Sequence, residues 1–385
     1  MQFIDLAAQQ ERIRERIEAN IAAVLDHGKY IMGPEIQSLE EKLAQYVGVK
    51  RAISCASGTD ALLLALMAYE IGPGDTIFTT PFTFIATGEV ISLLGATPVF
   101  VDIDPHTFNI DPSKLGPAIQ AVLDNQATDH PLPRSGAPLV PKGIIAVDLF
   151  GQPADYDNLN AIAGRHGLFV LEDAAQSFGA EYKGSKACSL AQIGCTSFFP
   201  AKPLGCYGDG GMCFTDDDNL HEIMMSLRIH GKGTHKYDNV RIGMNGRMDT
   251  LQAAVLLAKF DIFPEEIELR QQVAQRYSQL LHQRAGVQTP VVAEEMVSAW
   301  AQYSVLAKDE THRTRLQAKL KEDGIPTAIY YPKPLHLQTA FKSLGYEEGD
   351  FPISEDFSGR IFSLPMHPYL SDSDQEAIVE AMRGG

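Results

Sequence analysis

The sequence predicts an α/β protein with a mainly parallel central sheet and a smaller C-terminal α+β part. Two observations predict it. Short apolar segments alternate with helically spaced ones from Ala52 to Leu171, the rhythm of repeated β-α-β units. Two segments, Gly143–Leu149 and Leu168–Leu171, are almost unbroken apolar runs, as expected of strands buried on both faces.

The elements follow in order. Residues 10–26 carry apolar positions at helical spacing, Gly33-Pro34 breaks the pattern, and a second helix is expected over 35–47. Ala52–Cys55 reads as a strand, Asp60–Tyr69 as a helix and Thr76–Thr79 as a strand. Gly88–Leu94 is expected to be helical, Pro98–Val101 extended and 113–124 helical. The polar, proline-containing stretch Asn125–Pro141 predicts a surface loop. From Leu251 one long amphipathic helical stretch is expected to about Arg284. Strand-like runs Ala301–Leu306 and Thr327–Tyr331 then flank a helix over 311–323, and a helix over 373–383 closes the chain. The expected organisation is an N-terminal arm (1–12), a large domain (13–258) and a small domain (259–385).

Composition narrows the function. The 385 residues are 45% apolar and 21% charged, with a net charge of −17, which argues against a nucleic-acid surface because that needs a basic stripe. An anionic small ligand remains compatible, since local charge decides such sites. The start, Met1-Gln2-Phe3-Ile4-Asp5, lacks the basic and apolar regions of a signal peptide, and no apolar run is long enough to span a membrane. The five cysteines show no CxxC spacing, so neither a metal site nor a disulfide framework is expected. A cytoplasmic protein is.

Chemistry concentrates at strand ends. One strand ends in Glu172-Asp173-Ala174-Ala175-Gln176. Lys202 follows in Ser197-Phe198-Phe199-Pro200-Ala201-Lys202-Pro203-Leu204-Gly205, just before Gly208-Asp209-Gly210-Gly211. A carboxylate at a strand end and a lysine in a glycine-rich turn suit pyridoxal phosphate. The first keeps a pyridine nitrogen protonated, and the second bonds the cofactor's carbonyl carbon. Ser57-Gly58-Thr59-Asp60 joins a strand to a helix. It reads as an ordinary helix cap or as a phosphate cradle of free amides with the Thr59 hydroxyl. Ser197 could add a hydroxyl to the same phosphate. Phe84, in Thr80-Pro81-Phe82-Thr83-Phe84, is either a core ring or a flat face for a cofactor. Gln176 could bond a ring oxygen or cap a turn. Asn245, in the turn Asn245-Gly246-Arg247-Met248-Asp249, is either a backbone device or a ligand to a phosphate held by a second subunit.

Together these residues resemble the nucleotide-sugar aminotransferases of the DegT/StrS (DegT/DnrJ/EryC1) family, over nearly the whole chain. The likeness runs from Phe3-Ile4-Asp5-Leu6, Gln9 and Gly33-Pro34-Glu35 through Ser57-Gly58-Thr59-Asp60-Ala61-Leu62 and Asp173-Ala174-Ala175-Gln176-Ser177. It continues with the Lys202 motif, Asn245–Asp249 and Gln252-Ala253-Ala254, and ends at Ser363-Leu364-Pro365-Met366-His367-Pro368. The resemblance implies the type I pyridoxal-phosphate (aspartate aminotransferase-like) fold. It implies Lys202 as the lysine joined to the cofactor, Asp173 at the pyridinium nitrogen, Phe84 on the ring face and Gln176 by the phenolic oxygen. Gly58, Thr59, Asp60 and Ser197 would hold the phosphate, with Asn245 reaching in from the other subunit of a homodimer. L-glutamate would be the amino donor, with pyridoxamine phosphate as the intermediate form and 2-oxoglutarate as the other product.

Within the family the chain looks most like enzymes that aminate carbon 3 of UDP-linked 2-acetamido-3-keto sugars. Members acting on the 3-keto-glucuronate carry Arg before His-Gly and His before Tyr-Pro. This chain has Ile229 before His230-Gly231 and Tyr330 before Tyr331-Pro332. Both differences remove a cation, and a sugar carboxylate buried without one is unfavourable. The expectation is therefore the neutral UDP-3-keto-N-acetylglucosamine, with Ile229, Tyr330, Tyr331 and His336 near the sugar. Arg228, Lys232 or His336 could instead supply the missing charge, which would favour the uronate. A dTDP-linked 6-deoxy-keto sugar is a further alternative. Lys202 argues against a sugar dehydratase, whose family members carry His there. A cofactor-binding regulator would need a DNA-binding appendage or a lost lysine, and a Rossmann dehydrogenase lacks its GxGxxG here.

Overall fold

Asp5 sets the first boundary. Its carboxylate accepts the Ala8 amide at 2.9 Å, a cap that starts helix α1 at Leu6 and carries it to His27. Helix therefore begins before residue 10 and takes up more than half of the segment expected as an arm. The computed structural model describes residues 1–136, 138–235, 237–282 and 286–383.

After α2 (Pro34–Val47) the alternation unfolds as β1 (Arg51–Cys55), α3 (Gly58–Ala68), β2 (Asp75–Thr79), α4 (Ala86–Leu93), β3 (Thr97–Phe100) and α5 (Pro112–Asp124). There follow β4 (Val140–Val147), α6 (Tyr156–His166), β5 (Phe169–Asp173), the short β6 (Glu181–Tyr182) and β7 (Ser185–Lys186), β8 (Ile193–Ser197), β9 (Gly211–Thr215) and α7 (Asp218–Leu227). The remainder comprises α8 (Thr250–Phe260), α9 (Phe263–Leu281), β10 (Met296–Val297), β11 (Tyr303–Leu306), α10 (Glu310–Glu322), α11 (Pro352–Arg360), β12 (Ile361–Leu364) and α12 (Asp372–Met382).

Seven strands form one sheet in the order β1-β9-β8-β5-β4-β2-β3. Only β9 runs antiparallel to its neighbours, so the other six strands point the same way. Successive residues of β4 serve opposite faces, as the period of two requires. Ile145 packs with α3, α4 and α7; Ile144 and Ala146 pack with α5 and α6. A separate apolar core joins α9, β11, α10, β12 and α12.

Two C-terminal expectations need correction. The stretch from Leu251 is two helices, broken at Asp261-Ile262, with Pro264 in the first turn of α9 where its missing amide costs nothing. Arg284 lies outside the described residues. Thr327–Tyr331 is not a strand: it meets the sheet only at the bridge Ala328↔Ser363. Pro326 and Pro332 bracket it and lack the amides that a ladder needs. The partner of β11 is β12, antiparallel, with Tyr303 opposite Leu364.

Candidate active site

Because six strands share a direction, the exits of β1, β2, β4, β5 and β8 open at one edge of the sheet, where α/β sheets bind ligands. Gly211, at the start of antiparallel β9, joins them. Ser57–Asp60, Phe84, Phe150, Asp173–Gln176 and Ser197–Lys202 all sit on these exits.

Asp173 ends β5 and is buried. One carboxylate oxygen accepts the Thr87 hydroxyl at 2.8 Å and the other the Ala175 amide at 3.2 Å. Burial raises its pKa; the two hydrogen bonds and the charge of Lys202 pull it back down. Lys202 shows the converse. Burial lowers its pKa and Asp173 opposes that, so the two groups lie within electrostatic reach of each other. The lysine turn is tight: the Lys202 amide donates to Phe199 O at 2.9 Å and the Cys206 amide to Phe198 O at 2.8 Å. A Cβ on Gly205 would sit 2.5 Å from Pro200 O.

Gln176 is buried and held at both ends. Its Oε1 accepts the Phe150 amide at 2.8 Å, and its Nε2 donates to the Tyr331 hydroxyl at 3.2 Å. Phe150 adopts a φ of 60°, unusual for a bulky residue. Tyr331 stands among Phe82 and Phe84, with ring centres 6.4 and 6.3 Å away. Phe84 is 54% exposed and offers a free face.

The β1 exit is a cradle. Ser57 caps α3 by accepting the Asp60 amide on its hydroxyl and the Ala61 amide on its carbonyl, each at 3.0 Å. The amide of Asp60 is thus spent on the cap. Those of Gly58 and Thr59 have no partner among the described residues, so the first turn presents free donors and a positive helix end. Ser197 lies directly against them: a Cβ on Gly58 would come 2.6 Å from Ser197 Cβ, and one on Gly211 would meet Ser57 O at 2.3 Å. The glycines let three strand ends close to that distance. An amide-lined, hydroxyl-edged pocket of this kind fits a phosphate group.

Asn245, expected at the phosphate of the other subunit, and the expected sugar-side residues are placed differently. Asn245 is exposed; its side-chain oxygen accepts Nε and Nη2 of Arg247 at 3.0 and 2.6 Å. Its backbone bridges Ile229, and the next carbonyl, of Gly246, accepts the Ala56 amide at 3.0 Å. The two expected positions 229 and 245 are therefore neighbours, anchored beside the cradle. Tyr330 is half-buried against Phe3 and Tyr331.

Two of the proposed replacement cations are committed elsewhere. Arg228 is fully buried, donating to Glu40 at 2.6 Å and to Ser54 O at 2.8 Å beneath β1. His336 is buried against Phe351 and its Nε2 meets Glu355 at 3.0 Å; burial lowers its pKa. Lys232 is exposed on the 230–243 loop. Thr87, Phe150 and Arg247 escaped the sequence reading. Thr87 and Phe150 sit in no recognisable pattern and matter through a partner remote in the chain or a turn conformation, whereas Arg247 lies in the Asn245–Asp249 motif and bonds Asn245 two residues away.

The chain matches the DegT/DnrJ/EryC1/StrS aminotransferase family over residues 11–383. It is 48% identical over 382 residues to a UDP-2-acetamido-2-deoxy-3-oxo-D-glucuronate aminotransferase of Pseudomonas aeruginosa, covering 99% of both chains. It is 37% identical over 381 residues to a UDP-N-acetyl-3-dehydro-alpha-D-glucosamine 3-aminotransferase of Acidithiobacillus ferrooxidans, covering 99% of this chain and 96% of the relative. Among solved structures, a DegT DnrJ EryC1 StrS aminotransferase from Brucella abortus superposes with a TM-score of 0.94 at 49% identity, covering 100% of this chain and 99% of that one. NtdA of Bacillus subtilis with bound cofactor PMP superposes at 0.85 and 28% identity, covering 99% and 82%.

Proposed function

This chain belongs to the DegT/DnrJ/EryC1/StrS aminotransferase family and is a pyridoxal-phosphate-dependent sugar aminotransferase; we propose that it moves the amino group of L-glutamate to carbon 3 of a UDP-linked 2-acetamido-2-deoxy-3-keto hexose. The observation that carries the chemistry is buried Asp173, tied by Thr87 and within electrostatic reach of desolvated Lys202. The product would be a 2,3-diamino sugar for lipid A or a surface polysaccharide.

Bound at this edge, pyridoxal phosphate supplies the electron sink for transamination. Gly58, Thr59 and Ser197 would hold its phosphate, and Phe84 would cover a ring face. Asp173 would keep the ring nitrogen protonated, with Thr87 fixing the carboxylate. Gln176, braced by Phe150 and Tyr331, would face the ring's edge. Lys202 would be the base: burial lowers its pKa, which leaves more amine free to take a proton from the donor's α carbon and, during amination, to deliver one to carbon 3 of the sugar.

A homodimer with shared sites belongs to the proposal. Tyr30, Ile31 and Met32 are exposed apolar residues beside the Asn245–Asp249 turn, through Thr250 N to Tyr30 O at 2.9 Å and the bridge Ile31↔Asp249. Ile242 is 91% exposed nearby in the chain. Apolar surface of that kind marks an interface, and it would carry Asn245 into the neighbouring site. Mixing Lys202→Ala and Asn245→Ala proteins under subunit exchange should restore activity; a monomeric active enzyme would refute sharing. Among the described residues no helix is long and apolar enough to cross a membrane.

At carbon 6 we favour the neutral sugar, because Ile229 and Tyr330 offer no cation and Arg228 and His336 are already paired. The uronate is the second reading, favoured by the 48% identical relative. The test is product analysis with L-glutamate and each UDP-3-keto sugar in turn. Higher catalytic efficiency on UDP-3-keto-N-acetylglucosamine supports the neutral reading, and preference for the uronate reverses it. No amination of either 3-keto sugar would sink the carbon-3 assignment.

A further inference from the structure

The turn that carries Lys202 is held from outside. Lys259, fully buried on α8, donates Nζ to the Gly205 carbonyl at 2.6 Å, and the same nitrogen lies 4.6 Å from the centre of the Tyr207 ring. Gln252, on the same face of α8 two turns earlier, accepts the Tyr207 amide at 2.9 Å. Its Nε2 would be 2.9 Å from a Cβ on Gly208. Between them Val255 and Ala258 pack with Ile13 and Ile17 of α1, and Tyr207 rests on that cluster.

A buried amine whose hydrogen-bond partner is a carbonyl costs free energy that an apolar side chain of equal length would not. The charged or titratable groups around Lys259 are Cys206 and Tyr207 in the turn and Glu266 on α9. Glu266 is occupied by Gln9, at 2.9 and 3.0 Å, and by Tyr369. The Gly205 carbonyl that Lys259 grips is three residues from Lys202.

We propose that Lys259 and Gln252 form a clamp on α8 that positions Lys202 for its reaction. Pinning Gly205 and Tyr207 fixes where the turn ends, and so where Lys202 stands relative to Asp173. The helix begins at Thr250, directly after the Asn245 turn, so one rigid element anchors both. The inference rests on Lys202 being the lysine joined to the cofactor.

The experiment is hydrogen exchange on the full-length protein without substrate, paired with kinetics. Lys259→Met keeps the stem and removes Nζ; Gln252→Leu releases the other jaw. In each folded variant the amides of Cys206 and Tyr207 should exchange about tenfold faster or more, with α1 and α3 unchanged. kcat should fall about tenfold, with KM for glutamate little altered. Burial brings the Lys259 pKa down to about 8. Wild-type exchange at these amides should therefore gain an extra rise as pH passes that value, and Lys259→Met should lack it. Unchanged protection in folded Lys259→Met and Gln252→Leu overturns the clamp. If Lys259→Met does not fold, Gln252→Leu and the wild-type pH series decide. Borohydride labelling at a lysine other than Lys202 would overturn the premise instead, and the exchange data would still report on the turn.

Discussion

The β5 exit and the 229–245 segment both border the candidate site, yet they are built on opposite plans. At the β5 exit every polar side chain is buried and tied. Asp173 holds Thr87 and the Ala175 amide, Gln176 spans Phe150 and Tyr331, and Asp148 behind them accepts Ser177, Tyr156 and the Ala154 amide at 2.7–2.9 Å. The described residues of 229–245 are largely exposed: Tyr237 is 87% and Ile242 91% accessible, and among the described residues the Asn245 side chain bonds only its neighbour Arg247. The contrast separates two jobs. Groups that stabilise charge during reaction gain from being fixed beforehand in a low dielectric. Under the proposed function, the 229–245 groups would meet a variable sugar, or another subunit, and would be completed by it.

If the tied wall carries the chemistry, its loss must be the most damaging. Lys202→Ala should lower kcat by ~10⁴-fold or more, since it removes both the covalent attachment and the base, while the fold persists by circular dichroism. Borohydride reduction of the wild type should fix the cofactor to the Lys202 peptide; a label on Lys183 or Lys186 would move the wall elsewhere.

Asp173→Asn keeps the shape and removes the charge. A fall in kcat of roughly 10²–10³ is expected, measured as half-reaction rates with glutamate. Near wild-type turnover would mean that the ring nitrogen does not depend on this carboxylate.

Thr87 tests whether tying itself matters. Thr87→Val removes one hydrogen bond to a charged group, worth about 1.5 kcal/mol, so kcat should drop about tenfold. An unaffected kcat would reduce the wall to Asp173 alone.

The rim should respond in preference rather than in rate. Ile229→Arg with Tyr330→His should shift the ratio of kcat/KM toward the uronate several-fold, leaving the glutamate half-reaction unchanged. A changed half-reaction would show that the two regions are not separable.

The smallest effect concerns stability. Burial raises the pKa of both Asp148 and Glu172 above the usual carboxylate range. The unfolded chain thus releases these protons at lower pH than the folded protein does. Their contribution to stability is complete at acid pH and declines as pH rises from the ordinary carboxylate range toward the raised folded values. Asp148→Asn should reduce that decline without abolishing it, because Glu172 shifts in the same direction. Urea denaturation across that window would show it, and an unchanged slope would place the protons elsewhere.

Much of this was legible from residue order. Apolar alternation and glycine and proline punctuation predicted the β-α-β rhythm. The strand-end motifs around Ser57, Asp173 and Lys202 pointed to residues that the structure brings together at one edge of the sheet. Such features are local: a period of two or 3.6, or a turn that only glycine allows, is written within a few neighbouring residues. Tertiary structure alone decided who partners whom. It paired β11 with β12 rather than with Thr327–Tyr331. It gave Asp173 to Thr87 and Gln176 to Phe150. It withdrew Arg228 into an ion pair with Glu40 and His336 into a hydrogen bond with Glu355, and it set Lys259 against Gly205. A buried polar group must find a partner, but which partner depends on elements brought together from distant parts of the chain, and no local pattern encodes that choice.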